Sequence, residues 1–225
     1  MPGLLYIVAT PIGNLEDITF RAVRVLKEAD VIACEDTREA LKLLNTHGIK
    51  KELISYYQPK ERQRLALLMN KLICGKTVAL ISDSGTPAIS DPGFRLVREA
   101  LAAGVRVVPV PGPSAVTAAL CASGLSTHRF LFLGFPPPKK TAARKKISVL
   151  REEEGTLIFY VPVRNAAEFM RIVRDELGNR KVVIARELTK FHEEFIRGTV
   201  DDVLAAVEQR NLKGEATILI EGKGK

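Results

Sequence analysis

The strongest constraint on this chain is its alternation of short β-branched runs with longer segments of helical periodicity. Residues 4–9 (LLYIVA), 31–35 (VIACE), 53–57 (LISYY), 77–82 (TVALIS) and 105–110 (VRVVPV) read as buried strands. Between them lie segments with apolar residues three and four apart. Residues 19–29 carry Phe20, Val23 and Leu26 at helical spacing behind Asp17 and Thr19 as caps. Residues 36–46, 62–74 and 94–103 are each followed by a glycine, Gly48, Gly75 and Gly104, where a helix stop belongs. Strand–helix–strand alternation of this kind predicts a mostly parallel sheet with helices on its faces.

The rhythm restarts after residues 111–115 (PGPSA), which open a small-residue helix running to Ser123. Strands are expected at 130–133, 156–161, 181–186, 194–198 and 215–221, and helices at 139–153, 165–177 and 200–209. The reading is therefore two α/β domains, 1–111 and 112–225.

Composition narrows the functional classes. The three cysteines, Cys34, Cys74 and Cys121, lack C-x-x-C spacing, so neither a disulfide framework nor a zinc site is expected. They read as small, reduced core residues. The apolar start has no basic segment before it, and no run reaches the roughly 20 apolar residues of a membrane helix, so a cytoplasmic chain without a membrane partner is expected. The net charge of +8 suits a nucleic-acid partner without demanding one.

Three loops follow strands of the first half, and ligands of open parallel sheets bind outside the carboxyl ends of their strands. The first is ATPIGNLEDIT at residues 9–19. The second, SDSGTPAISDPG at residues 82–93, is far longer than the usual two to six residues and carries Asp83 and Asp91. Asp91 suits a helix cap, which leaves Asp83 as the better ligand contact. The third is VPVPGPSA at residues 108–115, small enough for an adenosine-sized group to lie against backbone. Neither G-x-x-x-x-G-K-[ST] nor G-x-G-x-x-G is present, which argues against a polyphosphate ligand.

Together with EDTR at 35–38, FLGFPP at 132–137, ARELTKFHEE at 185–194 and KGEATILIEG at 213–222, these loops resemble the tetrapyrrole methylase superfamily, and within it the ribosomal RNA small subunit methyltransferase I family. The resemblance implies two α/β domains of the tetrapyrrole methylase type with S-adenosylmethionine in the cleft between them, in a homodimer. It implies methylation of the ribose 2′-oxygen of a cytidine in the decoding centre of small-subunit (16S) ribosomal RNA, within the 30S subunit and without a metal. Carried over by position, the cofactor contacts are Ile12, Asp83, Thr86, Ser114, Ala115, Tyr160, Val161, Glu187, Gly214, Glu215, Ala216 and Thr217. Two departures stand out. A Y-E-x-x-H-R-like stretch is here YVPVR, keeping Tyr160 and Arg164, and the family's C-terminal helical tail is not expected. The rival readings are a tetrapyrrole- or diphthine-type methylase on another substrate, and a non-catalytic S-adenosylmethionine-binding module.

A ribose hydroxyl is a poor nucleophile until its proton is lost or oriented. The dense acid–base stretch Arg186, Glu187, Lys190, His192 and Glu193 holds the candidates, with Glu187 and Lys190 favoured for polar work at the substrate. The same stretch is compatible with a solvated, salt-bridged turn. For RNA, Lys139, Lys140, Arg144, Lys145, Lys146 and Arg151 give a segment that is basic all round and suited to phosphates, or to a solvated helix balanced by Glu152, Glu153 and Glu154. Phe132, Phe135 and the Pro136–Pro138 run suit either a base-stacking surface or core and turn.

Overall fold

A computed structural model describes residues 2–57, 61–210 and 212–224, the side chains of Glu61 and Arg62 excepted. The chain divides into two compact units, Met1–Ser114 and Ala115–Lys225.

In the first unit, β1 (Leu4–Val8), β2 (Val31–Cys34), β3 (Glu52–Ser55), β4 (Thr77–Leu80) and β5 (Arg106–Val110) form one parallel sheet in the order β3-β2-β4-β1-β5. The helices are α1 (Phe20–Glu28), α2 (Thr37–Thr46), α3 (Glu61–Ile73) and α4 (Phe94–Ala102). Successive strand side chains point to opposite faces. Ile32, Cys34, Ala79 and Ile81 therefore join Ala22, Leu26, Ala40 and Leu44 of α1 and α2. Val31, Ala33, Val78 and Leu80 join Leu68, Leu72, Leu96 and Ala100 of α3 and α4. The strands read as unbroken apolar runs because both faces are covered.

In the second unit, α5 (Ala115–Ser123) precedes β6 (Phe130–Phe132), α6 (Lys140–Ser148), β7 (Thr156–Pro162), α7 (Ala166–Leu177), β8 (Lys181–Arg186), β9 (Glu194–Thr199), α8 (Val200–Glu208) and β10 (Glu215–Ile220). The sheet is mixed, in the order β6-β7-β10-β8-β9, with only the β6–β7 pair parallel. One core gathers Phe159, Val161, Ile184 and Ile218 from the strands with Ile147, Phe169, Met170 and Val203 from the helices. A full capping box at Thr199 and Asp202 starts α8.

Three expectations are corrected. Helix α6 ends at Ser148 rather than near 153: beyond it the backbone tightens into turns, with Leu150 N–H donating to Ile147 O (2.9 Å) and Glu153 N–H to Leu150 O (3.1 Å) in place of helical bonds. Asp91 does not cap α4: Gly93 occupies that position with no side-chain cap. Of the cysteines only Cys34 is buried, and that burial pushes its thiol up to about 12. Cys74 and Cys121 are exposed, near the end of α3 and on the outer side of α5.

Phe159 is wholly buried, edge-on to Phe169 at 5.1 Å. Phe159→Ala is expected to cost about 3–5 kcal/mol in urea unfolding. A loss under 1 kcal/mol would show that this core is not closely packed.

Candidate active site

The strand order makes the carboxyl ends of β4, β1 and β5 neighbours, so the three small-residue loops emerge side by side. They are stitched together there. Thr10 and Gly85 exchange backbone hydrogen bonds of 2.9 and 3.1 Å, and the buried Thr10 hydroxyl donates to Ser82 O at 3.1 Å. Ala9 N–H donates to Val110 O at 3.3 Å, and the Thr86 hydroxyl donates to Pro113 O at 3.3 Å. Gly112 passes so close to β1 that a Cβ there would sit 2.9 Å from the Ala9 methyl. Of the residues expected at the cofactor, Ile12, Thr86 and the Pro113–Ser114 corner gather here, and Ala115 opens α5.

Beside this junction lies an acidic group that motif reading only half found. Asp83 Oδ1 accepts the Asp36 N–H at 3.0 Å, so the long loop holds the start of α2. Asp36 in turn caps α2 through Arg38 N–H (2.8 Å) and pairs with the Arg38 guanidinium at 2.6 Å. Burial and the charges of Asp83, Asp91 and Asp36 raise the Glu35 carboxyl. Burial raises Asp83 as well, against the lowering by the Asp36 N–H. Asp91 is pushed up to about 6, chiefly by burial, with Ser82 as hydrogen-bond partner. The signal for Glu35 and Asp36 was their place at the carboxyl end of a strand. The loop is also strained, with Ala88 and Ser90 left-handed at φ 68 and 65°.

In the second unit, the expected contacts lie at one end of three adjacent strands. Tyr160 pairs with Thr217 and Val161 with Ala216 across β7 and β10. Glu187 N–H donates to Glu215 O at 3.0 Å, and Val163 N–H to Gly214 O at 3.0 Å. Glu187 is left-handed at φ 50°. Its carboxylate accepts the Glu215 N–H at 2.9 Å and the Lys190 ammonium at 3.1 Å. Lys190 also reaches Glu215 at 3.2 Å. Burial raises the Glu187 carboxyl, but these donors reverse that and hold it below the ordinary range. Burial lowers the Lys190 ammonium, but the two carboxylates leave it above its ordinary value. Gly214, at φ 101°, lies where any Cβ would overlap the Glu187 carboxylate. Arg186 ties the same loop through Lys213 O (3.0 Å) and His192 O (3.4 Å). Tyr160 is flanked edge-on by Phe132 at 4.8 Å and by the exposed Phe135 at 5.5 Å.

The basic segment is largely engaged within its own unit. Arg144 pairs with Asp175 and Glu176 of α7, and Arg151 donates to Glu176 O at 3.0 Å. Lys140 meets Glu168 at 3.1 Å. Lys146 donates to Leu133 O at 2.7 Å, its ammonium 5.9 Å from the Phe159 ring centre. Lys139 and Lys145 are exposed and form no ion pair among the described residues.

In the first unit, the carboxyl groups of Glu35, Asp36, Asp83 and Asp91 cluster beside small-residue backbone, a setting suited to a hydroxyl-bearing, cationic nucleoside. In the second unit, backbone N–H and C=O groups line one end of β7, β10 and β8. Among the described residues no cluster has the makings of a metal site.

Two outcomes follow from this geometry. The folded-state value of Asp91 lies above the usual ~4, so its contribution to stability is full below pH ~4 and is lost as pH rises through about 6. Asp91→Asn should flatten that part of the urea-unfolding profile and raise Tm at pH 7.5; an unchanged slope would show that Asp91 is ordinarily solvated. Gly214→Ala should displace Glu187 and release Lys190, lowering Tm by several degrees. A calorimetric Tm equal to wild type would contradict the packing described.

A profile of the family described as Tetrapyrrole (Corrin/Porphyrin) Methylases matches residues 4–204. The ribosomal RNA small subunit methyltransferase I of Halalkalibacterium halodurans is 47% identical over 99% of this chain and 77% of its own. That of Thermotoga maritima is 42% identical over 98% of this chain and 99% of its own. Among solved structures, a cobalt precorrin-4 methyltransferase superposes with a TM-score of 0.70 at 20% identity, over 96% of this chain and 94% of that one. The uroporphyrin III C-methyltransferase of Thermus thermophilus gives 0.64 at 21%, over 97% of each. The chain belongs to the tetrapyrrole methylases and, by identity along nearly its whole length, to the ribosomal RNA small subunit methyltransferase I family of S-adenosylmethionine-dependent enzymes.

Proposed function

We propose that this methyltransferase acts on the ribose 2′-oxygen of a cytidine in the decoding centre of small-subunit ribosomal RNA, as a cytoplasmic homodimer working on the 30S subunit. The observation that carries the reading is the buried pairing of Thr10 with Gly85, which joins the loops after β1 and β4, while Thr86 bonds Pro113 O of the third small-residue loop. The names of the relatives supply the substrate class.

Ile12, Asp83, Thr86 and Ser114 are the donor contacts proposed for the first unit, and Ala115, Tyr160, Val161, Glu187 and residues 214–217 those proposed for the second. S-Adenosylmethionine supplies an electrophilic methyl on a positively charged sulfur, which needs no metal. The protein's part is to place a hydroxyl oxygen in line at about 3 Å and to manage its proton. Lys190 stays protonated at neutral pH, held between Glu187 and Glu215. It therefore serves as a charged donor that orients the hydroxyl oxygen and stabilises negative charge developing on it. Glu187, already accepting two hydrogen bonds, positions Lys190 rather than taking the proton, which passes to solvent water as the O–C bond forms and the methyl–sulfur bond breaks to leave a neutral thioether. Lys139, the N-cap of α6, and Lys145 within it are the cations of the basic segment best placed for phosphates, since neither is spent on an ion pair among the described residues.

The test is methylation of 30S subunits against naked ribosomal RNA, read by primer extension at low nucleotide concentration. One ribose-methylated cytidine on subunits is expected, with Lys190→Met reducing kcat on the order of 10²-fold while calorimetric affinity for S-adenosylmethionine stays near wild type. Donor binding without methyl transfer to either RNA would overturn the substrate assignment.

A further inference from the structure

Phe191 is 97% exposed, and it stands where the chain could not easily have left it by accident. It lies in the connection between β8 and β9, whose ends pair as Arg186 with Glu194. That connection is fixed at its base. Leu188 is buried, Glu187 and Thr189 are left-handed at φ 50 and 65°, and neither is a glycine. Glu193 accepts the Thr189 N–H at 2.6 Å, and the backbone closes through Lys190 N–H to Glu187 O and Glu193 N–H to Lys190 O, both 3.0 Å. Strain of this kind persists only where the surroundings enforce it. What the enforced conformation presents outward is the Phe191 ring, with the exposed His192 imidazole edge-on at 5.0 Å and 82°.

The surroundings say what kind of partner suits this ring. A protein interface needs a contiguous apolar core within several hundred Å² per side. Of the other exposed large hydrophobics of this unit, Phe130 and Leu131 lie on β6, four strand spacings or about 19 Å from β9 across the sheet, Val149 follows α6, and Phe135 packs edge-on to Tyr160 at 5.5 Å. Phe195, the next aromatic along the chain, is already covered by the Arg197 guanidinium at 4.6 Å. Phe191 meets no ring but that of His192 among the described residues. Its sequence neighbours are Lys190 and His192, and Lys190 reaches back to Glu187 and Glu215 at the candidate site. A lone π-face with cationic and imidazole neighbours, one residue from a group assigned to the reacting hydroxyl, matches a single unpaired base. RNA is read chiefly through unstacked bases laid on aromatic rings.

We propose that Phe191 is the stacking platform for one unpaired nucleobase of the RNA substrate, with His192 at the base edge. The inference rests on the RNA-methylating function proposed above and adds to it the residue that holds the base while the ribose is presented to Lys190.

Phe191→Ala, Phe191→Leu and Phe191→Trp are to be compared with wild type on 30S subunits at saturating S-adenosylmethionine. Loss of a base stack corresponds to about 5- to 150-fold in kcat/KM. Alanine and leucine should both lose that much, mainly through KM for the subunit, while tryptophan stays within about threefold of wild type. Tm, calorimetric affinity for the donor and mass by light scattering should be unchanged in all three. Leucine matching wild type would replace stacking by simple apolar contact and overturn the proposal. Oligomer dissociation in the alanine variant would reassign Phe191 to a subunit interface, and unaltered kcat/KM in that variant would remove it from the substrate site. If wild type binds donor but methylates no RNA, the underlying function fails; if wild type is active and alanine equals it, only the stacking fails.

Discussion

The reciprocal backbone pairing of Thr10 with Gly85 is the constraint on which the first unit's site depends. It joins the loops after β1 and β4, which belong to segments some 75 residues apart in sequence. The buried Thr10 hydroxyl satisfies Ser82 O, and the Ser82 hydroxyl, with one proton to give, lies 3.3 Å from both Ser84 O and Gly85 O. Buried polar groups are tolerable only when paired in this way. Because the pairing is internal to the loops, a twelve-residue connection of small residues keeps one shape without regular secondary structure.

The second unit solves the same problem differently. Its mixed sheet leaves the start of β10 and the ends of β7 and β8 together at one end of the strands, and a carboxylate does the fastening. Glu187 bonds the first residue of β10 and the Lys190 ammonium together. The surface charge of that unit is mostly settled inside it. The ion pairs of Arg144 with α7 neutralise part of the basic segment and dock α6 onto α7.

Much of this was legible in the sequence. The strand–helix rhythm fixed the parallel sheet because both of its faces are covered, so each strand reads as one apolar run. The loop motifs named the residues that meet at β1, β4 and β5. What escaped was decided by distance across the fold. Asp91 looked like a helix cap from its Asp-Pro-Gly context, yet Gly93 takes that place and Asp91 turns inward to Ser82. Glu35 and Asp36 looked like motif residues without a task until β2 set them beside Asp83. The charge count of residues 139–151 said nothing of Asp175 and Glu176, some thirty positions away. The small size of a cysteine likewise did not reveal which side of α5 Cys121 faces.

The contact between Glu187 and Gly214 has a consequence for how such chains can diverge. The carboxylate fills the volume a methyl at 214 would need, and the left-handed turn at 187 aims it there. Neither position can drift freely: a side chain at 214 meets both the left-handed backbone there and the Glu187 carboxylate, and a shorter residue at 187 leaves the lysine with Glu215 alone. The glycine is thus held in place twice over, by its backbone and by its neighbour's carboxylate, with Lys190 dependent on the outcome.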